Sequence, residues 1–295
     1  MRSGYCVTND GVKLHYLQVD GAGASSSTSS SSSHPLILLH GWSASSRSFN
    51  ASIERLAAIS GVSAVFALDM RFHGESDKPE FGFHVSRLAC DFQCLLESVV
   101  GDNDTAVVCG TSMGSSVIWS YIELFGSDKL AGCVFVDQAP CQYLLHYWKY
   151  GSKGIFDDAS VRNIRTALME SMEAFAEGNE ECCVTHPIGT AMSDILKQET
   201  MKCKPEHLAN LMDDHARLDW RPIIQRIHVP VLNLYGTNSG CFPVEGMSAI
   251  GDLLPSSTPY KGVPFIDANH WLYIEFPDRF VSEVASFISE MVIAR

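Results

Sequence analysis

Residues 105–116 read TAVVCGTSMGSS, a pattern that predicts a strand followed directly by a helix. An apolar run of strand formers reaches Gly110, and the chain then passes through Ser112 into a helical pattern. The glycines on either side of this serine permit a sharp turn from strand to helix, which holds the serine in a strained backbone conformation. The pattern therefore predicts that the Ser112 hydroxyl projects at the carboxyl edge of a sheet, where the helix N-terminus favours negative charge.

The alternation of strand and helix extends in both directions from this turn. Short apolar runs such as 36–41 and 64–69 are each followed by a longer helical pattern. Apolar strands separated by helices of this length are typical of a parallel sheet covered on both faces. We therefore predict an α/β fold with a doubly wound, mostly parallel sheet. Near the N-terminus, Asn9, Asp10 and Gly11 separate two strand-like runs and predict a β-hairpin.

The alternation of strands and helices stops between Pro140 and Pro222, where the pattern is helical without clear strands. We interpret residues 140–222 as an inserted helical cap, and residues 1–139 and 223–295 as the core that carries the sheet. Within the core, the serine-rich segment 21–34 has too little apolar surface to offset its ordering entropy, which predicts a flexible loop.

The composition excludes several classes of protein. The chain has 295 residues, 46% of them hydrophobic, and a net charge of -13, which argues against a nucleic-acid-binding face. The N-terminal residues lack the apolar core of a signal peptide, and no apolar run is long enough to cross a membrane. Ten cysteines without a C-x-x-C pair fit a reducing compartment. We expect a cytoplasmic protein that acts on a small molecule without a cofactor; its oligomeric state stays open.

Ser112 in this setting predicts a nucleophile for acyl transfer. Such a serine needs N–H donors aimed at the oxyanion of the tetrahedral intermediate. The backbone N–H of Met113 is one candidate, and that of Trp42, after the strand LILLHG, is the second. His40 precedes the glycine of that loop, and we interpret it as a brace of the loop rather than as a catalytic group.

Together these motifs resemble the α/β-hydrolase superfamily over nearly the whole chain. The segments that carry the resemblance are LLHGW at 38–42, LDMRFHGES at 68–76, CGTSMGSS at 109–116, the return to the sheet at 219–236 and DANHW at 267–271. One departure is Phe72, where the superfamily commonly has glycine. The resemblance implies that His270 is the general base that takes the proton of Ser112.

The carboxylate that should orient His270 is missing from its usual place. In most members of the superfamily it follows the seventh strand, and the matching position in VLNLYGTNSGCFP, residues 231–243, is Ser239. A serine cannot supply the negative charge that steadies an imidazolium. Asp137 ends the sixth strand on the same predicted edge as Ser112, so we predict that it is the acid. Asp267 is the alternative acid, and Asn238 is an uncharged alternative.

The substrate is less closely defined. Tyr143, Tyr147 and Trp148 at the start of the cap, with Trp271, are predicted to form apolar walls for an acyl or aromatic group, or else the core of the cap itself. We expect hydrolysis of a carboxylic ester, lactone or thioester. Alternatives are a carbon–carbon bond hydrolase, a cofactor-free perhydrolase and a receptor that has lost fast turnover.

A metal site is not expected from the sequence. Cys182, Cys183 and His186 lie close together along the chain, but structural zinc requires a fourth ligand at a recognisable spacing. Cys241 is interpreted as a buried thiol.

Overall fold

A computed structural model describes residues 1–21, 33–101 and 104–294. Eight strands form one sheet in the order β1-β2-β4-β3-β5-β6-β7-β8. Their bounds are β1 Arg2–Val7, β2 Lys13–Asp20, β3 His34–Leu39, β4 Val62–Leu68, β5 Ala106–Thr111, β6 Leu130–Val136, β7 Val231–Gly236 and β8 Tyr260–Phe265. The predicted α/β fold is thereby confirmed.

The strand directions bring the predicted functional residues to one edge. Strands β3 to β8 run parallel to one another, while β2 pairs antiparallel with both β1 and β4. The carboxyl ends of β5, β6 and β7 therefore meet at the same edge. The hairpin predicted at residues 9–11 joins β1 to β2, with Gly11 at a φ of 84°. Of the predicted flexible segment 21–34, residues 22–32 lie outside the described residues.

Helices cover both faces of the sheet because successive side chains of each strand point to opposite sides. In β5, Ala106 and Val108 pack into the core beneath one face, whereas Val107 and Cys109 pack into the core beneath the other. The helices of the sheet region are α1 Ile53–Ala57, α2 Val85–Val99, α3 Met113–Phe125, α9 Val244–Leu253, α10 Leu272–Glu275 and α11 Pro277–Phe287, with a 3-10 turn at Ser46–Phe49 and a π-helical turn at Ile288–Ile293. Helices α2 and α3 lie on the first face, and α1 and α11 lie on the second.

The chain between β6 and β7 is helical. Its helices are α4 Asp158–Glu170, α5 Met172–Cys183, α6 Thr190–Met201, α7 Pro205–Arg217 and α8 Arg221–Ile224. We call residues 140–222 the helical insertion. Helix α6 contacts the 3-10 turn that follows β3, and α7 contacts α2, so the insertion rests on the carboxyl edge of the sheet. Among the described residues, no helix is long and apolar enough to cross a bilayer.

Phe72 stands where the resemblance suggested glycine, and its backbone explains the preference. Its φ is 76°, a region that a bulky side chain rarely adopts. The ring is fully buried, stacks on Phe83 at 4.7 Å between centroids and contacts the edge of His207 in the helical insertion. Aromatic packing therefore offsets the backbone strain at this position.

Candidate active site

Ser112 lies at the turn between β5 and α3 with a φ of 51° and a ψ of -122°. The two flanking glycines are required by close packing. A Cβ atom on Gly110 would lie 2.4 Å from the backbone of Gly114, and one on Gly114 would lie 2.3 Å from the carbonyl oxygen of Leu39. The strained turn that the sequence predicted is therefore present, and it leaves Ser112 half-buried at the edge of a cavity.

The loop after β3 packs directly against this turn. A Cβ atom on Gly41 would lie 3.2 Å from Cβ of Ser112, so the backbone that leads to Trp42 passes beside the serine. Within the described residues, the backbone N–H groups of Trp42 and Met113 donate no hydrogen bond to the protein. Both predicted donors are therefore free to bind an oxyanion at Ser112.

His40 has both ring nitrogens occupied by the backbone. The N–H of Met70 donates to Nε2 at 3.0 Å, so Nδ1 carries the proton and donates to the carbonyl oxygen of Gly41 at 2.7 Å. These contacts hold the loop in place. They agree with the interpretation of His40 as a brace.

Asp137 and His270 lie in direct contact, although they are far apart in the sequence. Oδ1 of Asp137 is 2.6 Å from Nδ1 of His270, and both side chains are buried. An ionised carboxylate only accepts hydrogen bonds, so Nδ1 carries the proton in this contact and Nε2 takes no part in it. This is the relationship between acid and base that a serine hydrolase requires.

Three donors surround the carboxylate of Asp137. Besides His270, the hydroxyl of Ser239 donates to Oδ1 at 2.6 Å and the backbone N–H of Gly236 donates to Oδ2 at 2.8 Å. Complete burial raises the pKa of Asp137, while hydrogen bonds from His270, Ser239 and Gly236 oppose that shift by stabilising the carboxylate. Ser239 therefore supports the carboxylate of Asp137 from the neighbouring strand.

The alternative partners of His270 lie elsewhere. Asp267 is exposed, its backbone N–H donates to the hydroxyl of Thr237, and its carbonyl oxygen lies 3.0 Å from Nε2 of His186. Among the described residues, the Asp267 carboxylate has no hydrogen bond to His270. Asn238 is also exposed. Neither side chain is brought to the imidazole.

One cavity of about 270 Å³ contains both Ser112 and His270 on its wall. In this structure the Ser112 hydroxyl lies 3.5 Å from Oε1 of Gln138, and no hydrogen bond between Ser112 and His270 is present among the described residues. The Oγ of a serine can move between staggered rotamers about the Cα–Cβ bond, and such contacts often tighten only when substrate is bound. A ligand in this cavity would therefore lie beside both Ser112 and His270.

Of the four aromatic residues predicted to form apolar walls, one lines the cavity and three do not. Trp271 lies on the cavity wall. Tyr143, Tyr147 and Trp148 are not among the described residues that line it: the Tyr143 hydroxyl donates to Asp158, Tyr147 is 63% exposed, and the indole N–H of Trp148 donates to the carbonyl oxygen of Cys141. Tyr143 packs against the cluster that contains Val161 and Met212, Trp148 is buried, and Tyr147 lies on the surface of the helical insertion.

The apolar wall is built by other side chains. They are Trp42, Ile155, Ile164, Phe175, Met212, Phe242 and Tyr273, and the polar side chains among them are Gln142, Asn179 and His215. His215 is 3% exposed, and burial lowers its pKa to about 3, so its ring is neutral. Its Nδ1 has no hydrogen-bond partner among the described residues. Sequence reasoning missed this residue because a lone histidine in an amphipathic helix carries no distinctive pattern.

Sequence reasoning also missed the residues that fix the loop of His270. Oδ1 of Asn269 accepts hydrogen bonds from the backbone N–H groups of Gly240 and His270, both at 2.7 Å. Glu275 accepts the backbone N–H of Asn269 at 2.6 Å and those of Thr185 and His186 in the helical insertion. The loop is therefore tied both to the strand end that supports Asp137 and to the insertion. His186 is directed away from Cys182 and Cys183 toward Asp267.

Comparison with known proteins bears on this arrangement. The Alpha/beta hydrolase family matches residues 36–283, which is most of the chain. The chain belongs to the α/β-hydrolase family. The resemblance inferred from the sequence is thus confirmed, and the strained turn at Ser112 and the return of the chain at β7 are features of an α/β-hydrolase.

Individual relatives extend over nearly the full length of this α/β-hydrolase. A pimeloyl-[acyl-carrier protein] methyl ester esterase of Aliivibrio fischeri (strain MJ11) is 22% identical and covers 93% of this chain and 97% of its own. Among solved structures, the esterase RhEst1 from Rhodococcus sp. ECU1013 is 28% identical, with a TM-score of 0.76 and coverage of 99% of this chain and 100% of its own. A bromoperoxidase from Bacillus anthracis is 19% identical, with a TM-score of 0.85, and covers 98% and 100%. The fold is therefore shared from end to end.

Proposed function

We propose that the protein is a serine ester hydrolase with Ser112 as nucleophile, His270 as base and Asp137 as acid. The observation that carries this proposal is the buried contact of 2.6 Å between Asp137 and His270 on the wall of the cavity that contains Ser112. Relatives named as esterases support the same reaction class.

Acylation begins when the Ser112 hydroxyl turns from Gln138 toward His270. Nε2 of His270 takes the hydroxyl proton while Oγ attacks the ester carbonyl, and Asp137 stabilises the imidazolium that forms. The backbone N–H groups of Met113 and Trp42 bind the oxyanion, each contributing about 3 kcal/mol in the transition state. His270 then protonates the leaving alcohol, and water repeats the sequence on the acyl-enzyme.

The cavity limits the size of the substrate. A volume of about 270 Å³ is at the small end of ligand pockets, and most of the side chains on its wall are apolar. We therefore infer that the substrate is an ester or lactone with a short to medium acyl group. The helical insertion supplies Ile155, Ile164, Phe175 and Met212 to the wall, so it acts as a cap over Ser112.

Of the alternatives considered from the sequence, the receptor depended on the absence of an acid at Ser239. The carboxylate of Asp137 in contact with both Ser239 and His270 removes that argument and favours turnover. Among the described residues, no feature of the cavity favours a carbon–carbon bond hydrolase or a perhydrolase over an esterase.

Covalent labelling tests the proposal directly. The wild type and Ser112→Ala are incubated with a fluorophosphonate, and the modified peptide is identified by mass spectrometry. The label should reside on Ser112 in the wild type, and p-nitrophenyl butyrate should be hydrolysed with a burst of p-nitrophenol that reports the acyl-enzyme. An unlabelled Ser112, or an Ser112→Ala variant that retains the rate of the wild type, would exclude the proposed nucleophile.

A further inference from the structure

Three cysteines that the sequence separates meet on the wall of the cavity. Cys182 and Cys183 end helix α5 of the insertion, and Cys241 lies in the loop after β7. Their sulfur atoms all lie within 4.8 Å of one another, and Sγ of Cys183 is 3.9 Å from Sγ of Cys241. All three are free thiols and line the cavity that contains Ser112 and His270. We call these three residues the thiol cluster.

The two segments that carry the thiol cluster are packed backbone against backbone. A Cβ atom on Gly240 would lie 2.1 Å from the carbonyl oxygen of Cys182, so only glycine permits this approach. Cys183 is 2% exposed, Cys241 is half-buried and Cys182 is exposed. The cluster is therefore held together by the fold and is accessible to a small oxidant from the cavity and from solvent.

The thiols differ in their readiness to ionise. Hydrogen bonds from Cys182 and Cys183 and the charge of His270 lower the pKa of Cys241 well below its ordinary value, although burial opposes this. Hydrogen bonds to its two neighbours and burial raise the pKa of Cys183. A thiolate is the form that reacts with peroxides, and a neighbouring thiol can then resolve the product. Cys241 and Cys183 have these two properties.

We propose that Cys241 and Cys183 form an oxidation site that hydrogen peroxide closes to a disulfide, and that closure lowers the hydrolytic activity. The Cys241 thiolate attacks one peroxide oxygen, the O–O bond breaks, and a sulfenic acid and one water result after protonation. The Cys183 sulfur then attacks the sulfenic sulfur and releases a second water. Two thiols lose two hydrogen atoms in total, and the peroxide is reduced to two waters. A dithiol reductant reverses the change by thiol–disulfide exchange.

Closure requires movement beside the acid and the base. The two sulfur atoms must approach from 3.9 Å to about 2.05 Å. The backbone N–H of Cys241 contacts the Ser239 hydroxyl at 3.3 Å, and that hydroxyl donates to Asp137. The carbonyl oxygen of Cys183 accepts the N–H of Trp271, next to His270. Because a misplacement of about 1 Å in a catalytic group can cost on the order of 100-fold in rate, we expect oxidation to lower kcat by at least about tenfold.

Oxidation of the full chain tests this inference. Wild-type protein is treated with hydrogen peroxide in the presence of EDTA, which removes metal ions that could occupy the thiols. Non-reduced proteolytic peptides are mapped by mass spectrometry, and hydrolysis of p-nitrophenyl butyrate is measured before and after addition of dithiothreitol. We expect a peptide pair joined through Cys183 and Cys241 and a loss of rate that the reductant restores.

Cysteine-to-serine variants identify the two thiols that form the disulfide. Each variant is compared with its own untreated sample, because these residues line the cavity. Cys183→Ser and Cys241→Ser should form no bridge and show no loss of rate that dithiothreitol restores. Cys182→Ser and the control Cys90→Ser, a half-buried thiol of α2, should still form the bridge between Cys183 and Cys241 and lose, relative to their own untreated samples, a rate that dithiothreitol restores.

Three results would overturn the inference: no bridged peptide, a bridge that uses Cys182 in place of Cys183, or a bridge that leaves the rate unchanged. The inference rests on the proposed function only for its effect on rate. If the untreated protein hydrolysed no ester, the proposed function would fail, while the bridged peptide would still decide whether the oxidation site exists.

Discussion

The hydroxyl of Ser239 donates a hydrogen bond of 2.6 Å to Oδ1 of Asp137, the same oxygen that receives Nδ1 of His270 at 2.6 Å. Ser239 occupies the position, after β7, where most α/β-hydrolases of this kind have their acid. Strands β6 and β7 are neighbours in the sheet, so Asp137 at the end of β6 reaches the imidazole from the adjacent strand. Ser239 thus donates to the carboxylate that we propose as the acid.

Removing the Ser239 hydroxyl should weaken the stabilisation of the Asp137 carboxylate and lower the rate without abolishing it. In Ser239→Ala, Asp137 loses one of its three hydrogen bonds, and a hydrogen bond to a charged group contributes about 1.5 to 3 kcal/mol. We expect kcat for p-nitrophenyl butyrate to fall by about tenfold. Ser248→Ala, in helix α9, is the matched control and should retain the rate of the wild type. A Ser239→Ala variant as active as this control would show that the hydroxyl does not support Asp137.

The contact between Ser239 and Asp137 also predicts that a carboxylate at position 239 can replace the carboxylate at position 137. In Asp137→Ala the space beside His270 is vacated, and a carboxylate introduced by Ser239→Asp would lie within reach of Nδ1. The double variant should recover at least about tenfold in kcat over Asp137→Ala alone, since a charged partner of the histidine is restored. The combination of Asp137→Ala with Ser239→Asn, which is similar in shape but uncharged, is the control. Equal rates for the two double variants would contradict this prediction.

Cys241, beside His270, should shape the pH profile of the reaction. Burial opposes protonation of the imidazole, but the charge of Cys241 and the hydrogen bond to Asp137 outweigh it and raise the pKa of His270 well above its ordinary value. The base must be neutral to act, so kcat/KM should fall as the pH decreases through this pKa. Cys241→Ser removes a negative charge while Asp137 remains, which lowers the pKa of His270 and moves the acidic limb to lower pH. Cys90→Ser is the control. If the acidic limb of Cys241→Ser fell at the same pH as that of this control, Cys241 would not be a cause of the raised pKa of His270.

His215 should contribute to the choice of substrate. Its neutral ring lines the cavity, and its Nδ1 has no hydrogen-bond partner among the described residues. In His215→Phe, kcat/KM for an ester of 3-hydroxybutyrate should fall by about tenfold, because the substrate hydroxyl loses a buried partner. The butyrate ester should change by less than about threefold, since it has no such group to lose. If both esters were affected to the same extent, His215 would have only a packing role.

Much of the fold could be predicted from the sequence because local patterns determine it. The alternation of apolar runs and helical segments predicted the parallel sheet, and the glycines around Ser112 predicted the strained turn that the structure contains. The absence of a carboxylate in VLNLYGTNSGCFP indicates an acid elsewhere in the sequence. Asp137 is the candidate because it ends a predicted strand on the same edge as Ser112.

Long-range packing could not be predicted in the same way. The sequence does not show which strand lies beside β7, so the support of Asp137 by Ser239 was not foreseen. It also does not show which aromatic side chains of the insertion face inward: Tyr147 lies outside the cavity and Phe175 lies on its wall. The meeting of Cys183 with Cys241 depends on the same packing.

The role that we propose for Asp137 as the acid is tested by comparing Asp137→Asn with Asp267→Asn. Steady-state hydrolysis of p-nitrophenyl butyrate is measured for both variants and the wild type, with thermal unfolding as a check that each variant is folded. Loss of the charge should cost Asp137→Asn about 10³ to 10⁴ in kcat, as an uncharged partner does elsewhere, and Asp267→Asn should retain the rate of the wild type. A folded Asp137→Asn variant with nearly normal kcat, or an equal loss in Asp267→Asn, would contradict the account.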